Sequence, residues 1–292
     1  MKIFVTGGTG FIGSYFIRQA LGEGHAVLAI RRSPSTMPRI HLEQQPTWLD
    51  RALDEVRALD LIGCDVLVHF AAHTGNFPYD SLLNCLHWNL MVPLGLFEQA
   101  RLAGIERYVV AGSCFEYGRS GEYFESIPTD APLEPTNSYA ASKAAASIAF
   151  GQWAAQNNLR LDLLRVFHVY GEGELETRFW PSLKRAALEG KDFPMTLGEQ
   201  VRDFLPVQNV ASTFLARSVE DSNEPISVRK FNLSSGVPCT LSSFAQYWWK
   251  YWGAQGRLLL GEIPYRRGEI MRYIPGSQII LVDSGLLYST EE

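Results

Sequence analysis

Tyr139 and Lys143 lie four residues apart in the segment Tyr-Ala-Ala-Ser-Lys. At that spacing both side chains face the same way on a helix. An ammonium group beside a phenol stabilises the phenolate, so we expect Lys143 to lower the pKa of Tyr139 toward neutrality and make it a general acid or base. Ser113 follows a predicted strand, where its hydroxyl is placed to bind the same substrate oxygen. The three side chains predict proton transfer at a carbonyl or carbinol group.

A glycine cluster near residue 10 has the spacing of a phosphate-binding turn. Gly7, Gly10 and Gly13 form the pattern G-x-x-G-x-x-G between an apolar strand and an amphipathic helix. A turn without Cβ atoms lets backbone N–H groups approach a pyrophosphate at the start of a helix. Because the cluster lies inside a strand–helix–strand unit, it predicts a dinucleotide site.

The end of the second predicted strand bears on which dinucleotide binds. An acidic residue there would bond the ribose 2′-hydroxyl of NAD, but the chain has Arg31 and Arg32, with no carboxylate in reach. Two guanidinium groups suit a 2′-phosphate, so NADP(H) is favoured and NAD(H) is the alternative. Asp50 is a candidate partner for the adenine amino group, although a solvated loop carboxylate explains it equally well.

Alternating strands and helices form the frame that must position these residues. Nearly all-apolar strands alternate with helices along the first part of the chain: strands at residues 2–6, 26–30, 65–70, 108–111 and 161–167, and helices at 12–22, 89–103 and 139–157. This order predicts an α/β fold with a Rossmann-like doubly wound parallel sheet covered on both faces.

The regularity weakens after residue 171, where we expect helices at 181–189 and 207–219 and a strand at 230–233. We therefore predict two parts. Residues 1–170 and about 207–235 form the dinucleotide-binding domain. Residues about 171–206 and 236–292 form a smaller C-terminal substrate-binding lobe over the carboxyl edge of the sheet.

The composition excludes several other classes of protein. The 292 residues carry a net charge of −5, which gives no basic footprint for nucleic acid. No apolar run is long enough to span a membrane, and no signal peptide is seen. The four cysteines are scattered, and the six histidines lack metal-ligand spacing, so we expect neither a disulfide frame nor a metal site. These features predict a cytoplasmic enzyme.

With these motifs, the chain resembles the extended short-chain dehydrogenase/reductases that act on nucleotide sugars. The resemblance covers essentially the whole chain and rests on six segments: residues 6–13, 70–73 with Asn89, 112–118, 139–143, 165–171 and 201–204. It implies that hydride passes between the nicotinamide C4 and a sugar carbon. It also implies that Ser113, Tyr139 and Lys143 are catalytic and that Asn89 supports Lys143.

The resemblance implies two further sets of residues. The cofactor is expected to contact residues of the glycine turn and of the following strand ends: Gly7, Gly10, Phe11, Ile12, Gly13, Arg31, Arg32, Leu49, Asp50, Phe70, Ala71, Ala72, Asn89, Tyr139 and Lys143. The nucleotide-diphosphate sugar is expected to contact His73, Cys114, Phe115, His168, Arg202 and Arg267. For His168, a hydrogen-bonded structural histidine is an equal alternative.

Departures from the family pattern narrow the reaction. In family dehydratases an Asp-Glu pair follows the catalytic Thr, whereas Cys114 and Phe115 follow Ser113 here, so dehydration is not expected. The chain is most similar to bacterial 4-keto-6-deoxyhexose reductases of the CDP-abequose and CDP-paratose synthase type, which bind NADPH and serve lipopolysaccharide O-antigen pathways. We therefore predict an NADPH-dependent reductase of a nucleotide-activated 4-keto-6-deoxysugar.

Two other functions stay open. One is an NAD-dependent nucleotide-sugar 4-epimerase, and the other is a non-catalytic protein that senses NADP(H). The family also dimerises through helices that correspond to residues 89–103 and 139–157, so a homodimer is expected. The alanine-rich face of the second helix suits close packing, but a buried helix in a monomer would have the same pattern.

Overall fold

The computed structural model describes residues 1–220, 227–266, 268–276 and 279–280. Fifteen strands lie in this part of the chain: β1 (Lys2–Thr6), β2 (Ala26–Arg31), β3 (Thr47–Asp50), β4 (Val66–His69), β5 (Arg107–Ser113), β6 (Arg160–Val166), β7 (His168–Tyr170), β8 (Phe193–Met195), β9 (Val201–Arg202), β10 (Phe204–Pro206), β11 (Val228–Ser234), β12 (Cys239–Thr240), β13 (Leu258–Leu260), β14 (Arg272–Tyr273) and β15 (Ile279–Ile280).

The same residues form eight α-helices: α1 (Phe11–Gly22), α2 (Ala58–Leu61), α3 (Leu82–Leu86), α4 (Val92–Leu102), α5 (Ser138–Gln156), α6 (Phe179–Leu188), α7 (Val207–Val219) and α8 (Leu241–Tyr251). None of these helices combines the length and the apolar character needed to cross a membrane.

Eight of the described strands form one sheet in the spatial order β15-β11-β6-β5-β4-β1-β2-β3. All of its neighbouring strands run parallel. The central strands are apolar throughout because helices cover both faces: Ile3 and Val5 face one hydrophobic core, and Phe4 faces the other. The predicted doubly wound α/β fold is confirmed. Since all strands are parallel, the carboxyl ends of β1, β4 and β5 meet at one edge.

The helical segment before β5 begins earlier than predicted. The expected start was Asn89, but α3 begins at Leu82, because the Ser81 hydroxyl accepts a hydrogen bond from the Asn84 backbone N–H at 3.2 Å. A single π-helical turn, His87–Met91, joins α3 to α4 and contains Asn89. π-Helical turns often occur at functional sites.

A third hydrophobic core lies outside the main sheet and consists largely of aromatic side chains. Trp248 of α8 packs there against Trp180 of α6 and against Tyr170. Short strand pairs flank it, including β8 with β13. Apart from Tyr170, this core lies within the residue range of the predicted substrate-binding lobe, but β15, also within that range, pairs with β11 at the edge of the main sheet. The two-part division stays a prediction.

Candidate active site

The glycine turn lies directly against the end of β4. Gly7 has a φ of +69° and accepts a hydrogen bond from the Gly10 N–H at 2.9 Å. A Cβ at Gly7 would lie 2.6 Å from the backbone nitrogen of Ala71, and one at Gly13 would lie 2.3 Å from the Gly7 carbonyl oxygen. No side chain caps the N-terminus of α1. The turn is a cradle that a Cβ would fill, with first-turn N–H groups open to an anion, and it fits the pyrophosphate of a dinucleotide.

The residues after β4 differ in whether their side chains face the core or the solvent. The Phe70 ring is turned into the core, where it packs 4.6 Å from the Phe214 ring. The Ala71 N–H donates to the Thr6 hydroxyl at 3.3 Å, and Ala72 is exposed. These residues therefore border the glycine turn mainly through their backbone, and their predicted cofactor contacts stay predictions.

The structure brings a carboxylate to the end of β2, which the sequence analysis did not expect. Strand β3 pairs with β2 so that Asp50 lies beside Arg31, and the Arg31 Nε donates to the Asp50 Oδ1 at 2.6 Å. The Arg31 guanidinium also lies 4.8 Å from the centre of the Trp48 ring. The expectation that no carboxylate is in reach was wrong, because β3 places residue 50 opposite residue 31 in register. Leu49 packs into the core on the other face.

Arg32, by contrast, is exposed and makes no ion pair with any residue that the structure describes. Of the two arginines, it is the one whose guanidinium is available to a ligand. The two arginines at the end of β2 therefore differ in whether their charge is already paired within the described structure.

Ser113, Tyr139 and Lys143 meet at the carboxyl edge of β5. Ser113 is its last residue, and Tyr139 lies in the first turn of α5, whose start is capped by the Asn137 side chain through the Ala140 N–H at 2.9 Å. Tyr139 and Ser113 are joined by a side-chain hydrogen bond. The Lys143 Nζ donates to the Ala111 carbonyl oxygen at 2.7 Å. The predicted constellation is thus assembled in space.

The protonation of this group differs from the sequence-based expectation. Burial raises the pKa of Tyr139 well above its ordinary value, opposed by the hydrogen bond from Ser113. Burial also lowers the pKa of Lys143, opposed by the negative charge of Glu116. The expected lowering of the Tyr139 pKa was therefore wrong for this arrangement, in which desolvation dominates and the lysine donates to a backbone carbonyl. Tyr139 is held as a neutral phenol.

Asn89 joins two parts of the site. Its Oδ1 accepts from the His73 N–H at 2.7 Å, and its Nδ2 donates to the Ser142 hydroxyl at 2.9 Å. Ser142 is next to Lys143 on α5, so Asn89 fastens the segment after β4 to the catalytic helix. No direct bond from Asn89 to Lys143 is seen among the described residues, and its predicted support of the lysine stays a prediction.

The segment that follows β4 covers Tyr139. The Tyr79 ring is stacked on the Tyr139 ring, with centroids 6.2 Å apart, and a Cβ at Gly75 would lie 3.7 Å from the Tyr139 hydroxyl. The His73 Nε2 is 2.8 Å from the Asp80 Oδ2, and this hydrogen bond is the largest of several effects that hold the pKa of Asp80 below its usual value. Gly75 is thus the residue nearest to the space above the phenol.

Cys114 and Phe115 directly follow Ser113 and differ in their burial and contacts. Cys114 is buried in the core, and burial raises the pKa of its thiol to about 12. The Phe115 ring lies edge-on to the Tyr139 ring at 6.4 Å. Phe115 is therefore placed to touch a substrate at Tyr139, whereas the predicted substrate contact of Cys114 would have to come from a thiol inside the core.

The positive charges of two arginines, Arg202 and Arg178, act on His168. Arg202 of β9 donates from its Nη2 to the Glu269 Oε1 at 2.8 Å, and Arg178 donates to the Asn76 side chain at 3.3 Å. The Nδ1 of His168 is buried and has no hydrogen-bond partner among the described residues, and burial together with the two positive charges lowers the pKa of His168 to about 3. A hydrogen-bonded structural role through Nδ1 is therefore not seen. His168 is therefore neutral, in the positive field of Arg178 and Arg202.

Sequence reasoning missed Arg178 and Glu116. Arg178 directly precedes α6, and its position at the start of a helix was the available signal. Glu116 entered the sequence analysis only as part of the family segment 112–118, whereas the structure shows it fully buried in an ion pair with Arg165, with its Oε2 2.8 Å from the Arg165 Nε. The predicted substrate contact Arg267 lies outside the described residues. Among the described residues no group of His, Cys, Asp and Glu side chains could hold a metal ion.

Comparison with known proteins identifies enzymes that are similar to this chain. A UDP-glucose 4-epimerase of Corynebacterium glutamicum is 29% identical to this chain, over 81% of the chain and 76% of that protein. A dTDP-6-deoxy-L-talose 4-dehydrogenase (NAD(+)) of Aggregatibacter actinomycetemcomitans is 27% identical, over 82% of the chain and 87% of that protein.

The solved structure of MoeE5 in complex with UDP-glucose and NAD is 25% identical and superposes with a TM-score of 0.78, covering 93% of this chain and 88% of that one. The model of the NAD dependent epimerase/dehydratase family matches residues 3–232. The predicted family is confirmed: this chain belongs to the NAD dependent epimerase/dehydratase family.

Proposed function

We propose that this protein is an NADPH-dependent reductase of a nucleotide-activated 4-keto-6-deoxysugar, with a role in bacterial deoxysugar and O-antigen synthesis. The observation that carries the proposal is the Ser113–Tyr139–Lys143 group at the carboxyl edge of the sheet, in which Tyr139 is a buried neutral phenol. A neutral phenol is the form that donates a proton, as the reduction of a carbonyl requires.

When bound in the glycine cradle, the nicotinamide cofactor supplies the hydride. The residues of the chain do the rest. Tyr139 donates a proton to the sugar oxygen, and Ser113, already bonded to the phenol, donates a hydrogen bond to the same oxygen. Lys143, held 2.7 Å from the Ala111 carbonyl oxygen, provides positive charge near the phenolate that forms. The segment over Tyr139 keeps water from the reacting carbonyl.

Elimination of water is disfavoured by the neighbours of Ser113. A 4,6-dehydration needs an acid and a base beside the sugar in addition to Tyr139. Phe115 has no ionisable group, and the buried Cys114 thiol, whose pKa is raised to about 12, is a poor proton donor. This supports simple reduction or epimerisation over dehydration.

A nucleotide-diphosphate sugar suits the polar end of the cleft. The positive charges of Arg178 and Arg202 both act on His168, and guanidinium groups bind phosphate oxygens in a fixed geometry. The relatives named above act, by their names, at position 4 of UDP- and dTDP-linked sugars. We infer that a diphosphate binds between the two arginines and that the sugar C4 reaches Tyr139.

The preference for NADPH is argued from Arg32. Arg31 is neutralised by Asp50 and packed on Trp48, whereas Arg32 is exposed and pairs with no described residue. A free guanidinium after β2 suits a 2′-phosphate. NAD(H) is the alternative, because the Asp50 carboxylate next to Arg31 is also placed to accept from a ribose 2′-hydroxyl.

The test is a direct assay of purified protein. We expect NADPH to bind at least tenfold more tightly than NADH in a fluorescence titration, and keto-sugar nucleotides to drive NADPH oxidation followed at 340 nm. Tyr139→Phe should lower kcat by about 10²- to 10⁴-fold with little change in cofactor affinity. Undiminished turnover in this variant, or no oxidation with a panel of UDP-, dTDP- and CDP-linked 4-keto sugars, would refute the proposal.

A 4-epimerase is the second candidate, and the identity with the Corynebacterium glutamicum enzyme favours it. An epimerase needs the same three side chains but regenerates its cofactor in each cycle. Protein that purifies with one equivalent of bound NAD⁺ and interconverts 4-epimers without added cofactor would select this function. Stoichiometric consumption of free NADPH would select the reductase.

We further infer that two copies associate through α3, α4 and α5. Leu83, Met91 and Ile148 are large apolar side chains on this helical surface and are exposed in the single chain. Sedimentation should give a mass near twice 32.7 kDa. Charged substitutions at Met91 and Ile148 should return the protein to a monomer.

A further inference from the structure

The Glu116 carboxylate is the most completely buried acidic group near the site and has no part in the chemistry described above. Its exposed fraction is zero. It follows Ser113 by three residues, in a short 3₁₀ turn at the end of β5. A buried carboxylate is costly unless its oxygens are fully bonded.

Both oxygens of Glu116 are bonded, and the bonds join three elements. The Oε1 accepts from the Ser113 N–H at 2.8 Å, which fixes the end of β5. The Oε2 accepts from the Ser147 hydroxyl of α5 at 2.7 Å and from the Arg165 Nε of β6 at 2.8 Å. Ser147 is one helical turn beyond Lys143. The carboxylate therefore connects the backbone of Ser113 to the helix that carries Tyr139 and Lys143.

The sequence makes room for this group. A Cβ at Gly112 would lie 2.9 Å from the Glu116 Oε1 and 3.0 Å from the Arg165 Cγ. Arg165 is held in turn by the Tyr117 hydroxyl at 2.7 Å and the Thr129 carbonyl oxygen at 2.8 Å. An ion pair with so many fixed partners holds one geometry.

We propose that Glu116 is a positioning residue of the active site: its carboxylate holds Ser113 and α5 in register and places a fixed negative charge next to Tyr139 and Lys143. The proposal rests on the proposed function, because it assigns Glu116 a role in the same proton transfer. Without this charge, the lysine would lose its proton and the tyrosine its neutral form at lower pH.

The groups around the two side chains support this role. Tyr139 faces Ser113, Glu116, Cys114 and Tyr79, and the Glu116 charge raises its pKa. Lys143 faces Glu116, which raises its pKa against the effect of burial, and His69, whose pKa is lowered to about 3 so that it is neutral. The Cys114 thiol is neutral as well. Among the described residues, Glu116 is the charge that acts on both groups, and its ion-pair partner Arg165 carries the opposite charge.

The test separates the effect of the Glu116 charge from the effect of its packing. Glu116→Gln removes the charge with the shape of the side chain nearly unchanged, and Glu116→Asp keeps the charge but shortens the side chain by one methylene. Glu116→Gln with Arg165→Met removes the whole ion pair, so that no charge is left buried alone if the single variant fails to fold. Ser147→Ala removes one hydrogen bond and no charge.

In the reductive direction, the decrease of kcat/KM at alkaline pH marks the loss of the proton from the Tyr139–Lys143 pair. This decrease is called the alkaline limb of the pH profile. We expect the limb to move to lower pH in Glu116→Gln, with kcat at pH 8 reduced by roughly tenfold or more. It should move in the same direction but less far in the double variant, because that variant also loses the positive charge of Arg165. It should stay near the wild-type position in Glu116→Asp and Ser147→Ala. Equal movement in the Gln and Asp variants, or none in the Gln variants, would overturn the proposal.

A second readout does not need turnover. With ¹³Cζ-labelled tyrosine, the Tyr139 resonance, assigned by its loss in Tyr139→Phe, should titrate at lower pH in Glu116→Gln than in the wild type, with a smaller difference in the double variant. If the wild type reduces no keto-sugar nucleotide, the proposed function fails, while this titration still decides the role of Glu116. An unchanged titration would refute that role even in an active enzyme.

Discussion

Replacing Gly7 with alanine is the sharpest test of the cofactor cradle, because the chain offers a matched control. Gly7 and Gly24 both have positive φ angles, +69° and +82°. A Cβ at Gly24 meets nothing within 4 Å, whereas one at Gly7 meets the backbone of Phe70 and Ala71 at 2.6 to 2.9 Å. The two substitutions therefore share the conformational cost and differ only in the clash.

The magnitudes follow from these two terms. An alanine in the left-handed region costs about 1–2 kcal/mol, partly offset by the reduced entropy of the unfolded chain, so Gly24→Ala should lower the free energy of unfolding by about 1 kcal/mol. The clash at Gly7 involves only backbone and adds about 1–3 kcal/mol. Gly7→Ala should therefore cost roughly 2–4 kcal/mol.

Urea denaturation measures the stability term, and titration of NADPH fluorescence measures the effect on the cradle. Gly24→Ala should bind the cofactor within about twofold of the wild type. In Gly7→Ala the turn must move away from the end of β4, and affinity should fall at least tenfold, which is about 1.4 kcal/mol. Equal stability loss in the two variants, or wild-type affinity in Gly7→Ala, would refute the placement of this turn against β4.

Three other substitutions test separate parts of the site. Arg32→Ala should weaken NADPH binding by about 1.5–3 kcal/mol and leave NADH unaffected; equal losses for both cofactors in parallel titrations would show that Arg32 does not contact the 2′-phosphate. Burial raises the pKa of Glu174 to about 7, so the folded state holds a proton that the unfolded state releases, and stability is lost as pH rises from about 4.5 to 7. Glu174→Gln should remove this loss, on the order of 3 kcal/mol between pH 4.5 and pH 8 in urea denaturation, whereas an unchanged pH dependence would contradict it. Asn89→Ala leaves the His73 N–H and the Ser142 hydroxyl with one partner fewer and should lower the unfolding free energy by about 1–3 kcal/mol, with kcat reduced more than KM is raised in steady-state assays; wild-type stability would contradict the bridging role.

The sequence was sufficient for the features that depend on local patterns. The glycine spacing, the apolar strands and the Tyr139–Lys143 pair are encoded within a few residues of each other, and parallel pairing then brings Ser113 to the same edge. The start of α3 could also have been found from Ser81 as an N-cap.

Features that depend on contacts between distant segments could not be predicted. The pairing of Arg31 with Asp50 requires the register of β3, and the burial of Glu116 requires Arg165 from another strand. The pKa of Tyr139 was predicted wrongly because sequence spacing shows which charged residues are near but not how far the side chain is shielded from water.

The alignment of Arg31 with Asp50 has a consequence for how cofactor choice can change. Side chains on a strand alternate between its two faces, so a shift of β3 by one residue would carry the Asp50 carboxylate to the opposite face and leave Arg31 without its counter-ion. A change in the length of the connection between β2 and β3, residues 32–46, would be enough to cause such a shift. On the proposed cofactor site, an insertion or deletion in this connection would therefore alter the discrimination between the two dinucleotides without any substitution in β2 or β3.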